Sequence, residues 1–248
     1  MRDFHVHTSF SDGANTPEEM VRAAIAMGLT ELGFSDHAYT GFDRSCCIPE
    51  ERIEEYKRTI SALKEKYRGQ IRILCGIEQD YYSETDTAGY DYVIGSVHYV
   101  KAGDCFLSVD DTQQIQQSAV ETWFGGDYYA LAERYFELVG DVAEKTHADI
   151  IGHFDLVSKF NEKFPRFDEG HPRYVRAWQQ AADRLIPYGK PFEISTGAIS
   201  RGYRTEPYPA RWILEELRRR GVKRILSSDC HSRENLLYGF SEYRDWIK

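Results

Sequence analysis

The sequence predicts an α/β protein, a parallel sheet with helices packed outside it. Three observations carry this. Seven short apolar runs recur along the chain, at Asp3–His7, Leu32–His37, Ile71–Glu78, Tyr92–His98, Ile150–His153, Phe192–Ser195 and Ile225–Asp229. Segments with helical period lie between them, and strands that alternate with helices assemble as parallel βαβ units. The length, 248 residues, suits a single small barrel-like domain covering 1–248.

The elements follow in order. After the first strand, Thr16-Pro17-Glu18-Glu19 reads as an N-cap, a proline at the first helical position and the glutamate of a capping box. Met20, Ala23, Ala24 and Met27 continue at helical spacing, and Gly28 stops the helix. Further helices are predicted over about 49–67, 127–147, 171–187 and 207–220. In the segment 127–147, Leu131, Tyr135, Leu138, Val139 and Val142 form one apolar face. The stretch 99–126 is the least regular, with Gln113-Gln114-Ile115-Gln116-Gln117 and Gly125-Gly126. It reads as a long loop, of the kind that often covers a site.

Composition excludes several classes. Lys+Arg is 31 and Asp+Glu is 40, a formal charge of -9, which argues against nucleic acid or an anionic membrane as partner. No apolar run approaches the ~20 residues of a membrane span. The opening Met1-Arg2-Asp3-Phe4-His5 lacks the pattern of a signal peptide. Cys46, Cys47, Cys75, Cys105 and Cys230 are odd in number and form no CxxC. Reduced thiols in a cytoplasmic protein are the expectation.

The histidines have a placement that packing does not explain. Six of the eight, His5, His7, His37, His98, His153 and His231, fall at or just past the C-terminal end of a predicted strand. Glu78 and Asp229 hold the same position on two more. Ligands bind at that edge of parallel α/β sheets, so residues distant in sequence converge on one mouth. His5-Val6-His7 places two imidazoles on one face of a strand. Asp3, one step back on that face, is placed to orient a histidine through its second ring nitrogen. Asp229-Cys230-His231 repeats the pairing with carboxylate and imidazole. A carboxylate such as Glu78 ending an apolar run is costly to bury unless it meets a cation. With Asp12 on the first loop, nine donors are too many for one tetrahedral zinc and suit two or three divalent ions such as Zn, Mn or Fe. His147 and His171 lie off the strand ends and read as structural or exposed.

These residues, in this order, resemble the PHP superfamily, the polymerase-and-histidinol-phosphatase type of metal-dependent phosphoesterase. Asp3-Phe4-His5-Val6-His7-Thr8 resembles its opening DxHxHT motif. Ser35-Asp36-His37, Gly76-Ile77-Glu78, Gly95-Ser96-Val97-His98, Gly152-His153 and Ser228-Asp229-Cys230-His231 resemble its later motifs. The likeness spans residues 3–231. Within the superfamily the chain looks most like the histidinol-phosphatase branch, through Gly152-His153-Phe154-Asp155-Leu156-Val157-Ser158-Lys159-Phe160 and Phe192-Glu193-Ile194-Ser195-Thr196-Gly197. Arg201-Gly202 and Pro207-Tyr208-Pro209 fit as well.

The resemblance implies a distorted (β/α)7 barrel with a trinuclear site. One ion would take His5, His7, Glu78 and Asp229. A second would share Glu78 and add His98 and His153. A third would take Asp12, His37 and His231. The expected chemistry is attack of a metal-bridging hydroxide on the phosphorus of a small phosphate monoester, L-histidinol phosphate by resemblance. Glu78, Asp229 and His231 are the catalytic candidates, and Asp229, His231 or a metal-bound water is expected to protonate the leaving oxygen. Lys159 and Arg201 are the candidates to grip the phosphate. Glu193, Glu206, Tyr203 and Tyr208 are candidates for the histidinol moiety. Asp155 is expected to support the site from behind or to cap the next helix. Rival readings keep the fold but take a nucleotide, sugar phosphate or phosphotyrosine, or an amide-type C–N bond. A metal-stabilised interaction module would lack some donors, and none is clearly missing.

Overall fold

The computed structural model describes residues 1–247. Each predicted apolar run contributes one strand of a parallel sheet. The barrel strands are β1 (Arg2–Asp3), β2 (Glu31–Phe34), β3 (Arg72–Asp80) and β4 (Tyr92–Ser96), then, after a two-stranded insertion, β7 (Ile150–Ile151), β8 (Phe192–Ser195) and β9 (Arg224–Ser227). Their spatial order is their order in sequence, and every neighbouring pair is parallel. A parallel bridge between Val6 and Cys230, with His7 N donating to Cys230 O at 3.0 Å, joins the first strand to the last. The sheet thereby closes on itself. β1, β2, β4, β7 and β9 end earlier than their apolar runs do, so His5, His7, His37, His98 and His153 lie just past the regular strands.

The helices wrap the outside. α1 (Pro17–Ala26) has the predicted capping box, with Thr16 N donating to Glu19 Oε2 at 2.8 Å. α2 (Ile53–Lys66) follows a 3-10 turn at Glu50–Arg52. The segment 127–147 is two helices, α4 (Tyr128–Val139) and α5 (Val142–Thr146), because the chain turns at Gly140. A Cβ there would lie 3.2 Å from Ala181 Cα on α6 (Pro172–Leu185), so the absent side chain lets the helices close up. The predicted apolar face of 127–147 is buried throughout. His147 caps α5 with a left-handed φ of 54°. His171 is the N-cap of α6, its ring accepting from Arg173 N. Both are structural. α7 (Gly197–Ser200), α8 (Arg211–Arg219) and α9 (Phe240–Tyr243) complete the set. α8 begins later than predicted, because residues before it form a strap that pairs Tyr208 with Ser195 of β8.

The stretch 99–126 is not the long loop expected. β5 (Tyr99–Ala102) and β6 (Cys105–Ser108) form an antiparallel hairpin, and α3 (Gln113–Trp123) follows. The Gly103-Asp104 turn supplies the positive φ, 57° at Gly103, that a two-residue hairpin connection requires. Thr112 caps α3 through Ile115 N. Among the described residues, no helix is long and apolar enough to cross a membrane.

Candidate metal centre

The extended segment past β1 decides the geometry of the floor. Val6 packs into an apolar cluster, so the imidazoles of His5 and His7 point the other way, into the barrel mouth. His5 Nε2 lies 3.3 Å from Glu78 Oε2 and 3.7 Å from Asp229 Oδ1. His7 Nε2 lies 3.6 Å and 3.4 Å from the same two oxygens. His37 Nδ1 reaches Glu78 Oε2 at 2.9 Å, while His98 and His153 approach Glu78 Oε1 at 3.4 and 2.9 Å. Five imidazoles thus face one buried carboxylate. Beside them, Asp12 lies 3.7 Å from His7, 3.8 Å from His37 and 3.3 Å from His231. The nine residues named from sequence therefore surround one mouth.

Their grouping differs from the partition the resemblance implies. Ligand atoms gather as His7–Asp12–His37–His231, His5–His7–Asp229 and His37–Glu78–His98. His7 and His37 each belong to two groups, and His153 reaches only Glu78.

A divalent cation fits this donor set. His5 Nε2, both ring nitrogens of His7 and Glu78 Oε2 are buried without a hydrogen-bond partner. Buried polar atoms are almost always paired, so convergent unpaired donors mark a place for a cation. The nitrogen and carboxylate oxygen set suits Zn, Mn or Fe.

The electrostatics follow from burial and crowding. Burial opposes charge on His5, yet Glu193, Glu78 and Asp229 outweigh it and push its pKa well up. His98 is raised for the same reason by Glu78 and Asp80. His7 is pushed down to about 3 by burial and by the neighbouring His231 and His37. Glu78 and Asp229 are held well below the carboxylate range despite burial, Glu78 by His5, His37 and His98, Asp229 by Arg201 and His5. The carboxylates and the neutral His7 are thus in the states that donate to a metal, whereas His5 and His98, held by the same carboxylates, must lose a proton to do so.

An outer layer fixes these donors, and part of it was not legible as such. Glu193 accepts from His5 Nδ1 at 2.8 Å and also holds His153 N and Ser227 Oγ. It is fully enclosed behind His5, so it does not receive the histidinol moiety as expected. Asp3 does not orient a histidine ring: its carboxylate accepts from the backbone of His5 and Ser228 and ties the barrel's seam. Asp80, two residues past Glu78, holds His98 through N at 2.8 Å and Nδ1 at 3.3 Å. Asp36 accepts from Thr8 and Ser11 and so pins the turn that carries Asp12. The clue for Asp80 was its i+2 spacing from Glu78. Asp36 and Glu193 gave only the sign of a carboxylate within or beside an apolar run. Asp229 has a left-handed φ of 47°, and a Cβ at Gly197 would lie 2.6 Å from its Oδ2. Strain and close packing together aim this carboxylate.

Above the floor is a cavity of about 350 Å³. Lys159, Arg201, Tyr203, Asp43, Cys46 and Asp110 are among the residues that line it. Arg201 donates to Asp229 Oδ2 at 2.9 Å and to His231 Nδ1 at 2.7 Å. Lys159 donates to Asp110 O at 2.6 Å and Oδ2 at 3.2 Å, and lies 4.7 Å from the Tyr203 ring centre. Two candidates for the histidinol moiety are placed elsewhere. Tyr208 is fully buried, and Glu206 is taken up by Arg204 and the backbone of Arg211. Asp155 accepts from Ala210 N just before α8 and ties these distant segments together; it does not cap the helical turn that follows it in sequence.

Comparison with known proteins agrees with this geometry. Residues 3–197 match the PHP domain family. A probable histidinol-phosphatase of Deinococcus radiodurans is 30% identical over 97% of this chain and 90% of its own. The fold superposes on a solved chain from Listeria monocytogenes with a TM-score of 0.85, at 20% identity, covering 98% of this chain and 100% of that one. It also superposes on the histidinol phosphate phosphatase of Lactococcus lactis, solved with zinc, L-histidinol and phosphate (TM-score 0.74, 23% identity, 99% and 92% coverage). Seven parallel strands closed by the seam at Val6 and Cys230 form a distorted barrel, and the superpositions show that these chains share its fold. The chain belongs to the PHP domain family, beside its histidinol-phosphatases.

Proposed function

We propose that this chain hydrolyses L-histidinol phosphate to L-histidinol and phosphate. The observation that carries the reading is one pocket in which unpaired imidazole and carboxylate donors form the floor and two cations the wall. The Deinococcus relative supports the reaction, and the zinc, histidinol and phosphate held by the Lactococcus protein support both substrate and cofactor.

His5, His7, Asp12, His37, Glu78, His98, His153, Asp229 and His231 would hold two or three divalent ions. Such ions supply Lewis acidity to phosphoryl oxygens and acidify water toward a pKa of ~7. The protein's own groups do the rest. Arg201 and Lys159 bind the phosphate, and the guanidinium adds directional donors. The two oxygens of Asp229 are engaged, Oδ1 toward His5 and His7 and Oδ2 by Arg201. His231 is held in the same way, its Nδ1 accepting from Arg201 and its Nε2 facing Asp12, so both residues serve to position the site. Asp43, Asp110 and Asp111 give the cavity an acidic edge suited to the ammonium and imidazole of histidinol.

The test is phosphate release from L-histidinol phosphate beside a nucleotide, a sugar phosphate and phosphotyrosine, with protein loaded with Zn, Mn or Fe. The expected kcat/KM for histidinol phosphate exceeds the others by orders of magnitude. Slow, similar rates with metal retained would overturn the substrate and keep the phosphoesterase.

A further inference from the structure

We propose that Arg204 is a positioning residue that fastens together the two segments bearing the pocket's cations, and so sets the spacing of Arg201 and Lys159. The inference rests on the reading of those two side chains as phosphate ligands. Arg204 is 4% exposed and lies outside the cavity lining. Its Nη1 donates to Ser158 Oγ at 2.5 Å and lies 3.7 Å from Asp155 Oδ2. Its Nη2 donates to Glu206 Oε1 at 3.1 Å, and its guanidinium sits 4.9 Å from the Tyr208 ring centre. Ser158 immediately precedes Lys159, and Arg204 follows Arg201 by three residues. One buried fork therefore joins the segment after β7 to the segment after β8. Tyr203, next to Arg204, completes the link by placing its ring under the Lys159 ammonium.

Stability alone does not account for the cluster. Buried ion pairs are often no more stabilising than apolar side chains of the same volume. This one leaves Arg204 Nε, Asp155 Oδ1 and Tyr208 OH buried without hydrogen-bond partners, each at a cost. What a planar fork provides and an apolar filler does not is direction: donors at fixed angles to partners on separate segments. Here one partner, Ser158, adjoins Lys159, and the fork itself lies three residues from Arg201.

The experiment uses metal-loaded enzyme and inorganic phosphate as a competitive inhibitor. Arg204→Met should raise KM for L-histidinol phosphate and the Ki of phosphate together by roughly tenfold, the effect of misplaced binding groups. The value of kcat should stay within about threefold, and metal content should be unchanged, because the loss is in binding common to ground and transition states. Arg204→Lys, which keeps the charge but not the fork, should fall between. Wild-type KM and Ki with only a lowered Tm would overturn the proposal and leave Arg204 as packing. If Arg204→Met does not fold, Ser158→Ala removes a single acceptor. A rise in Ki of about threefold then supports the link, and an unchanged Ki overturns it. Arg201→Ala separates the two readings. If it leaves the phosphate Ki unaltered, the phosphate-ligand reading fails and the role of Arg204 fails with it. If it raises Ki while the Arg204 and Ser158 variants do not, only the fastening is refuted.

Discussion

On the floor of the pocket, His5 and His7 are completely buried and present ring nitrogens that no protein group satisfies. On its rim, the polar groups satisfy one another. Asp43 accepts from Ser45 and Tyr99, and Asp110 from Lys159. Phe42 stacks on Phe106 of the hairpin at 3.8 Å between ring centres. The floor is built to receive something from outside the chain, and the rim is built to hold itself in place. The difference teaches how to find the floor: the informative signal is several buried donors without partners converging on one point, a mark that the paired cations and carboxylates of the rim do not carry.

The comparison can be broken most sharply at Glu78, whose two oxygens face five imidazoles. Glu78→Ala should strip bound metal and abolish nearly all turnover while the apolar clusters keep the chain folded. Elemental analysis and phosphate release, with circular dichroism as the folding control, check this. Retained metal with retained activity would mean that the floor is not the catalytic centre.

A smaller effect is expected one layer back. Glu193→Gln weakens the acceptor that fixes the His5 ring without removing a ligand. Metal affinity should fall by about 10–100-fold, the range for partners of ligating histidines, as read by competition with a chelator. An unchanged affinity would mean that the buried floor needs no such support.

The smallest effect belongs to the rim. Burial and the carboxylates of Asp12, Asp43 and Asp110 push the Cys46 thiol up to about 12. It stays protonated at every pH below that, and only the thiolate is nucleophilic. Alkylation of native protein near neutral pH should therefore be slower at Cys46 than at exposed Cys105 by on the order of tenfold or more. Peptide mapping measures the ratio, and equal rates would show that the rim opens freely.

Much of the floor was legible because strand geometry is local. The i, i+2 spacing of His5 and His7 puts both rings on one face whatever lies around them, and an apolar run ending in Glu78 or Asp229 announces a carboxylate at a sheet edge. The hairpin 99–108 was not legible: the stretch 99–126 read as one irregular loop, because the short strands of the hairpin and the glutamine-rich segment after them carry no clear apolar period. Glu193 and Asp3 show where local reading fails. Asp3 was assigned a direction from its position on a strand and Glu193 a substrate group from its charge, and each is held by a partner more than 180 residues away in sequence, His5 for Glu193 and Ser228 for Asp3.

The sequence by itself determined the alternation of strand and helix, the class of chemistry and the identity of the donors, because periodicity and residue type are properties of the chain alone. Only the tertiary structure decided which carboxylate meets which imidazole, that Lys159 rests on Asp110 and Arg201 on Asp229, and that Arg204 joins their segments. Those pairings depend on the closing of the barrel between Val6 and Cys230, which brings the two ends of the chain within one hydrogen bond. Charge and burial then select partners by distance in space, a quantity that no local pattern encodes.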